Sequence, residues 1–216
     1  MLFNMKKVYI VLIISVLFVF GFNKAQAQSF NAGVIAGATF CQVDGDTYAG
    51  FHQLGFTVGA YANLPFGNYL SGQMELKYSL LGAHSSHKEV SEYGYTPYSL
   101  RMHYVEIPLM LRFNLGVFHV NFITLEAGAS IDVLMRATEN VMNGGPEVTT
   151  RRWSRISATA NAGIHFDIAK NFGIGARFMY SVAPCRFTGN PGWFYNQYYN
   201  KVIQITATYN INSPLK

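Results

Sequence analysis

Residues 69–80 alternate strictly: Leu70, Met74, Leu76, Tyr78 and Leu80 fall on one side, and Ser71, Gln73, Glu75, Lys77 and Ser79 on the other. Successive side chains of a strand point to opposite faces, so this stretch predicts a β-strand with one apolar face and one polar, charged face. The same pattern recurs at residues 31–41, 54–64, 102–113, 120–133, 156–168, 172–182 and 202–211. In 156–168, for example, Ile156, Ala158, Ala160, Ala162, Ile164, Phe166 and Ile168 oppose Ser157, Thr159, Asn161, Gly163, His165 and Asp167. Each stretch has about ten residues, the length a tilted strand needs to cross a bilayer. In the fourth, Pro108 cannot donate to a ladder and predicts a bulge or kink.

The connections alternate as regularly as the side chains. Residues 65–68, 114–117 and 169–171 read as tight turns, whereas 42–53, 81–101, 134–155 and 183–201 are long links. Short turns at one end and long loops at the other mark an up-and-down outer-membrane barrel, with the turns and both termini in the periplasm and the loops outside the cell.

A soluble lipocalin-like ligand carrier has the same periodicity with its apolar faces turned inward. Composition separates the two. Charged residues make up 12% of the chain and aromatics 15%, while a soluble surface carries about 25–35% charged residues. The few charges on the alternating faces, Glu75, Lys77, Glu106, Arg112, Glu126 and Arg177, fall near mid-strand, where they can meet across a narrow lumen. Phe66, Tyr69, Phe113, Phe118, Phe166, Phe172 and Tyr209 gather at the short-turn ends as an interfacial aromatic girdle would. The expected fold is therefore all-β, an eight-stranded antiparallel up-and-down transmembrane β-barrel. The soluble periplasmic carrier is the alternative.

The N-terminus carries Lys6 and Lys7, an apolar run over residues 8–22, and then Ala25-Gln26-Ala27. These are the regions of a secretory signal peptide, with cleavage expected after Ala27 and a mature barrel domain over 28–216. Loss of Lys6, Lys7 and Lys24 leaves 13 basic against 11 acidic residues, so the formal net charge of +5 falls to about +2 and offers no case for nucleic acid. Cys41 and Cys185 are the only cysteines. An exported pair can form one disulfide; the sequence leaves pairing and non-pairing open.

Four segments, in order, resemble the PorT-like outer-membrane β-barrel family of Bacteroidota: residues 74–79 (Met-Glu-Leu-Lys-Tyr-Ser) with Gly82, 104–109 (Tyr-Val-Glu-Ile-Pro-Leu), 125–128 (Leu-Glu-Ala-Gly) and 173–180 (Gly-Ile-Gly-Ala-Arg-Phe-Met-Tyr). The resemblance implies an eight-stranded barrel in the outer membrane, and one branch of the family serves the type IX secretion and gliding machinery.

Arg177 is expected to reach across the lumen to Glu75 or Glu126, with Arg112 and Lys77 completing a network with Glu106. An eight-stranded interior is just wide enough for side chains to fill. His165 and Asp167 share the inward face two residues apart, a spacing that suits a general-base pair, but no nucleophile accompanies them. His84, His87 and His103 are irregularly spaced and lack accompanying carboxylates, so a solvated loop is expected rather than a metal site. Trp193, Phe194, Tyr195, Tyr198 and Tyr199 form an aromatic cluster in the last long loop, of the kind that stacks on sugars or anchors a partner. No phosphate loop, metal-ligand spacing or nucleophile elbow is present in the sequence. The expected role is non-enzymatic and cofactor-free, with outer-membrane lipid as solvent and an envelope protein or surface glycan as partner. A component of an export machine is the alternative.

Overall fold

The alternating stretches form one closed antiparallel sheet. The computed structural model describes residues 30–45, 50–86, 90–92, 94, 96–141, 145–187 and 197–211, so the expected signal peptide lies outside the described residues. The strands are β1 (Asn31–Asp44), β2 (Gln53–Pro65), β3 (Leu70–His84), β4 (Tyr98–Asn114), β5 (Ile123–Val141), β6 (Pro146–Val148), β7 (Ile156–Asp167), β8 (Phe172–Ser181), β9 (Arg186–Phe187) and β10 (Gln197–Asn210). β6 and β9 are short ribbons on β5 and β10 at the long-loop end. The other eight are staves, each antiparallel to its neighbour, and β10 returns to pair with β1.

The register sets the shape of the barrel. From Phe166 on β7, successive partners run through Ile174, Ala207, Ala36, Val58, Tyr78, Val105 and Val133 and return to β7 at Ile156, ten residues from the start. For eight strands that stagger tilts the staves by about 40°. Every residue on the path is apolar apart from the Tyr78 hydroxyl, and all belong to the outer face. Leu76, Leu109 and Ile131 are 58%, 61% and 57% exposed, while Glu75 and Glu106 on the opposite face are 1% and 0% exposed. The apolar faces thus point outward and the polar ones inward, which overturns the soluble-carrier alternative: that protein would need its aliphatic residues around a cavity.

Three local features differ from the sequence expectations. Pro108 leaves the β3–β4 register unshifted, with Met74 opposite Leu109 and Lys77 opposite Glu106 on either side of it. The bulge lies instead between His103 and Tyr104, which pair with Arg136 and Leu134 and leave Met135 as the extra residue of β5. The expected turn at 114–117 is longer. Asn114 accepts a hydrogen bond from the Gly116 amide at 2.8 Å and caps a 3₁₀ turn over Leu115–Phe118, His119 closes it in the left-handed region, and β5 starts at Ile123 rather than at residue 120. At the long-loop end the staves run further than expected. β3 and β4 reach His84 and Tyr98, leaving residues 85–97 as the link, and β5 extends to Val141. These extensions hold together because Leu81, Ala83, Leu100, Met102, Tyr104, Leu134, Ala137 and Trp153 pack inside them.

Candidate functional site

The middle of the lumen is a charged layer built by inward-facing positions of five staves. Arg177 on β8 reaches Glu75 on β3 with both terminal nitrogens, Nη1 to Oε2 and Nη2 to Oε1, each at 2.9 Å. Its Nη2 also lies 3.2 Å from Glu126 Oε2 on β5. Such a two-pronged contact is the geometry in which guanidinium and carboxylate bind best. Lys77 Nζ stands 3.3 Å from Glu75, 3.5 Å from Glu106 and 3.0 Å from Gln204 Oε1. Arg112 joins at the short-turn side, 3.5 Å from Glu126 and 2.8 Å from Gln73 Oε1; Gln73 in turn donates to Glu75 at 2.7 Å. The structure thus brings all six mid-strand charges together, with Arg112 on Glu126 rather than Glu106.

The strand register explains the close approach. Gly163 stands between Glu126 on β5 and Arg177 on β8 as the register partner of both, and a Cβ there would fall 3.2 Å from the Arg177 Cβ. Gly59 faces Lys77 in the same way, and a Cβ there would lie 2.9 Å from Lys77 Cγ. Without side chains at these two positions, the long cations can lie across the lumen.

Asp132 is inward-facing by the alternation of residues 120–133 but is not among the six charges expected in the network. It is the register partner of Glu106, it is 4% exposed, and its Oδ2 accepts from the Thr159 hydroxyl. Neither oxygen of Glu106 accepts a hydrogen bond among the described residues. Three cations therefore face four carboxylates. Gln73 and Gln204, which bridge the ions, were equally legible from strand parity.

Above the charged layer the lumen becomes apolar. Leu100, Met102, Tyr104, Leu134 and Ala137 are fully buried there beside Cys41, Val43, Cys185 and Trp153. Cys41 and Cys185 both lie in this cluster and are not joined by a disulfide. Trp153 Nε1 donates to Glu139 Oε1 at 2.9 Å, and Arg186, 3.2 Å from the same carboxylate, lies over the Trp153 and Tyr198 rings at 5.2 and 5.4 Å. Tyr198, a candidate for loop recognition, thus packs edge-on against Trp153 at the mouth of the barrel. Tyr199 faces the other way and stacks on Tyr180 at 6.0 Å on the outer wall. Trp193, Phe194 and Tyr195 lie outside the described residues.

At the short-turn end a vestibule of about 870 Å³ is lined by Tyr61, Asn63, Arg112, Asn114, His165 and Asp167 among others. The next void inward measures about 10 Å³, among Gln73, Arg112, Glu126 and Arg177, about the least space that holds one water. His165 Nε2 is 3.3 Å from Asp167 Oδ1 in the vestibule, and among the described residues no hydroxyl or thiol is hydrogen-bonded to the ring. His103 faces outward and bonds the Tyr78 hydroxyl at 2.5 Å, His84 is exposed, and His87 is outside the described residues. Among the described residues no three His, Cys, Asp or Glu side chains gather as a metal site.

A closed antiparallel barrel with an aliphatic exterior and an ion-paired interior defines an integral outer-membrane barrel protein. The chain belongs to the outer membrane protein beta-barrel domain family, which it matches over residues 25–185. No curated protein matches it in sequence. In structure it is similar to the attachment invasion locus protein Ail of Yersinia pestis, at a TM-score of 0.51 and 17% identity over 84% of this chain and 98% of that one. A second Ail structure, in complex with the heparin analogue sucrose octasulfate, gives a TM-score of 0.50 at 16% identity over 85% and 99%. Neisserial surface protein A gives 0.49 at 11% identity over 84% and 97%. At 16% and 17% identity the likeness to Ail is one of fold.

Proposed function

We propose that this protein is a non-enzymatic, non-conducting outer-membrane barrel that serves the envelope through its extracellular end. The observation that carries the reading is the filled lumen: a charged layer that joins opposite walls, with an apolar layer stacked on it. A diffusion pore needs a continuous aqueous path, and an eight-stranded barrel filled this way does not supply one. Residues 1–27 are proposed as the cleaved signal peptide and 28–216 as the barrel domain. The four segments quoted above support a place among the PorT-like barrels of Bacteroidota.

The proposed partner binds the rim around Trp153, Arg186 and Tyr198 and the aromatic loop between Arg186 and Tyr198. Ail's complex with sucrose octasulfate makes a sulfated glycan a sensible first probe, beside an envelope protein. The reading is tested by recording the refolded mature barrel in planar bilayers and by cross-linking it in intact cells. Absence of conductance steps, together with a cross-linked species lost on deleting residues 188–196, is expected. Steady single-channel steps from the wild type would replace the reading with a pore.

A further inference from the structure

At the long-loop end, three cations on the barrel are matched by an acid, whereas Arg101, Arg136 and Arg155 are not, among the described residues. Lys201 lies 2.8 Å from Asp44, Arg186 3.2 Å from Glu139, and Arg152 3.6 Å from Glu147. Arg101 on β4 and Arg136 on β5 are exposed and have no carboxylate partner among the described residues. They are also neighbours. Arg136 is the register partner of His103, and Arg101 stands two residues further along the same outer face of β4. Diagonal positions of this kind lie about 7–8 Å apart, within reach of long side chains.

The bulge creates this arrangement. Asp132 and Leu134 point inward, so an unbroken strand would turn Arg136 into the lumen. The extra residue Met135 reverses the parity, burying Ala137 and putting Arg136 outside beside Arg101. Re-aiming a side chain is a recurrent use of β-bulges. Two unpaired guanidinium groups side by side repel each other unless an anion sits between them.

The level on the barrel identifies that anion. The next outward residues toward the bilayer are Val105 on β4 and its partner Val133 on β5, which open the apolar columns Val105–Ile107–Leu109 and Val133–Ile131–Ala129. Beside His103 lie the rings of Tyr78 and Phe56, the aromatic residues expected where acyl chains meet headgroups. We infer that Arg101 and Arg136 clamp a phosphate on the headgroup of an outer-leaflet glycolipid, whose acyl chains lie along these columns. Arginine forks match phosphate geometry with two hydrogen bonds each.

The inference rests on the outer-membrane reading, and its test separates the two. Mature wild-type barrel is reconstituted in phosphatidylcholine vesicles doped with diphosphoryl lipid A or with the same lipid dephosphorylated, extracted in mild detergent and weighed with its retained lipid by native mass spectrometry. Retention of the phosphorylated lipid is expected to exceed that of the dephosphorylated one by about tenfold. R101Q/R136Q is expected to abolish the difference and K201Q to leave it intact, and excess inorganic phosphate should not displace the lipid. Equal retention of the two lipids by wild type, displacement by free phosphate, or undiminished selectivity in the double variant would each overturn the clamp. Failure to insert, seen as the absence of a heat-modifiable band, would instead refute the outer-membrane reading. The wild-type comparison decides the question even if the double variant does not fold.

Discussion

Two layers of one lumen are filled by opposite chemistry. In the middle, Glu75, Lys77, Glu106, Glu126 and Arg177 lie 0–6% exposed and bind one another; one turn of the barrel higher, the inward positions of the same staves are apolar. On β3 the inward series passes from Glu75, Lys77 and Ser79 to Leu81 and Ala83. On β4 it passes from Glu106 to Tyr104, Met102 and Leu100, on β5 from Asp132 to Leu134 and Ala137, and on β8 from Arg177 to Met179. The outer face changes in the opposite sense, from Ile107 and Val105 to His103 and Arg101. Where lipid surrounds the wall, the apolar residues belong outside and the interior must be polar and internally satisfied. Where water surrounds it, the usual order returns. The level of the swap marks the outer edge of the membrane.

The sharpest way to break this comparison is to remove one ion. Arg177→Met leaves Glu126 with Arg112 at 3.5 Å and Glu75 with Lys77 at 3.3 Å, both without the two-pronged contact. Unpairing a buried charge costs about 3–5 kcal/mol, so urea unfolding in vesicles, followed by tryptophan fluorescence, should shift by that amount. Replacing Glu75 by Gln at the same time removes a charge of each sign and should recover more than half of the loss. If R177M unfolds like wild type, the ion layer contributes nothing to stability.

In the upper layer the loss is one of packing. Leu134→Ala empties a fully buried site, and such truncations cost about 2–5 kcal/mol. Here no second substitution of a partner should rescue it, which distinguishes the layers more sharply than magnitude does. Cys41 and Cys185 provide a local readout, since both are at most 1% exposed in that cluster. In the folded wild type they should resist maleimide, and L134A should speed their labelling before global unfolding. Thiols that label at once in the native barrel would show that the layer is open to water.

Strand alternation made the eight staves, their order and the closed barrel legible, and parity alone placed the six interior charges on one wall. It failed at the level of the swap. Leu80 and Leu81 are both apolar, as are Val133, Leu134 and Met135, and there the two faces exchange character, so a rule that follows polarity ends the strand where the structure continues it. Parity carried past Ser79 would have put Leu81 and Ala83 inside. The bulge at Met135 had no such signal, because its register depends on what β4 presents across the ladder. The partner choice of Arg112 was equally hidden, since Glu106 and Glu126 share a face and only the register places Arg112 opposite Glu126.

The smallest effect sharpens the comparison inside the charged layer itself, because its acids are not equivalent. Glu75 accepts both prongs of Arg177, while Asp132 stands directly opposite Glu106 and accepts from the Thr159 hydroxyl. Like charges directly opposed across a ladder destabilise by up to about 1 kcal/mol. Asp132→Asn removes that repulsion, keeps an oxygen for Thr159 and matches three cations with three carboxylates. The variant should therefore unfold at slightly higher urea than wild type, by up to about 1 kcal/mol, whereas Glu75→Gln should unfold earlier. A destabilised D132N would mean that the fourth carboxylate is a required member of the network, and that the interior balances its charge by a proton or cation held between Glu106 and Asp132.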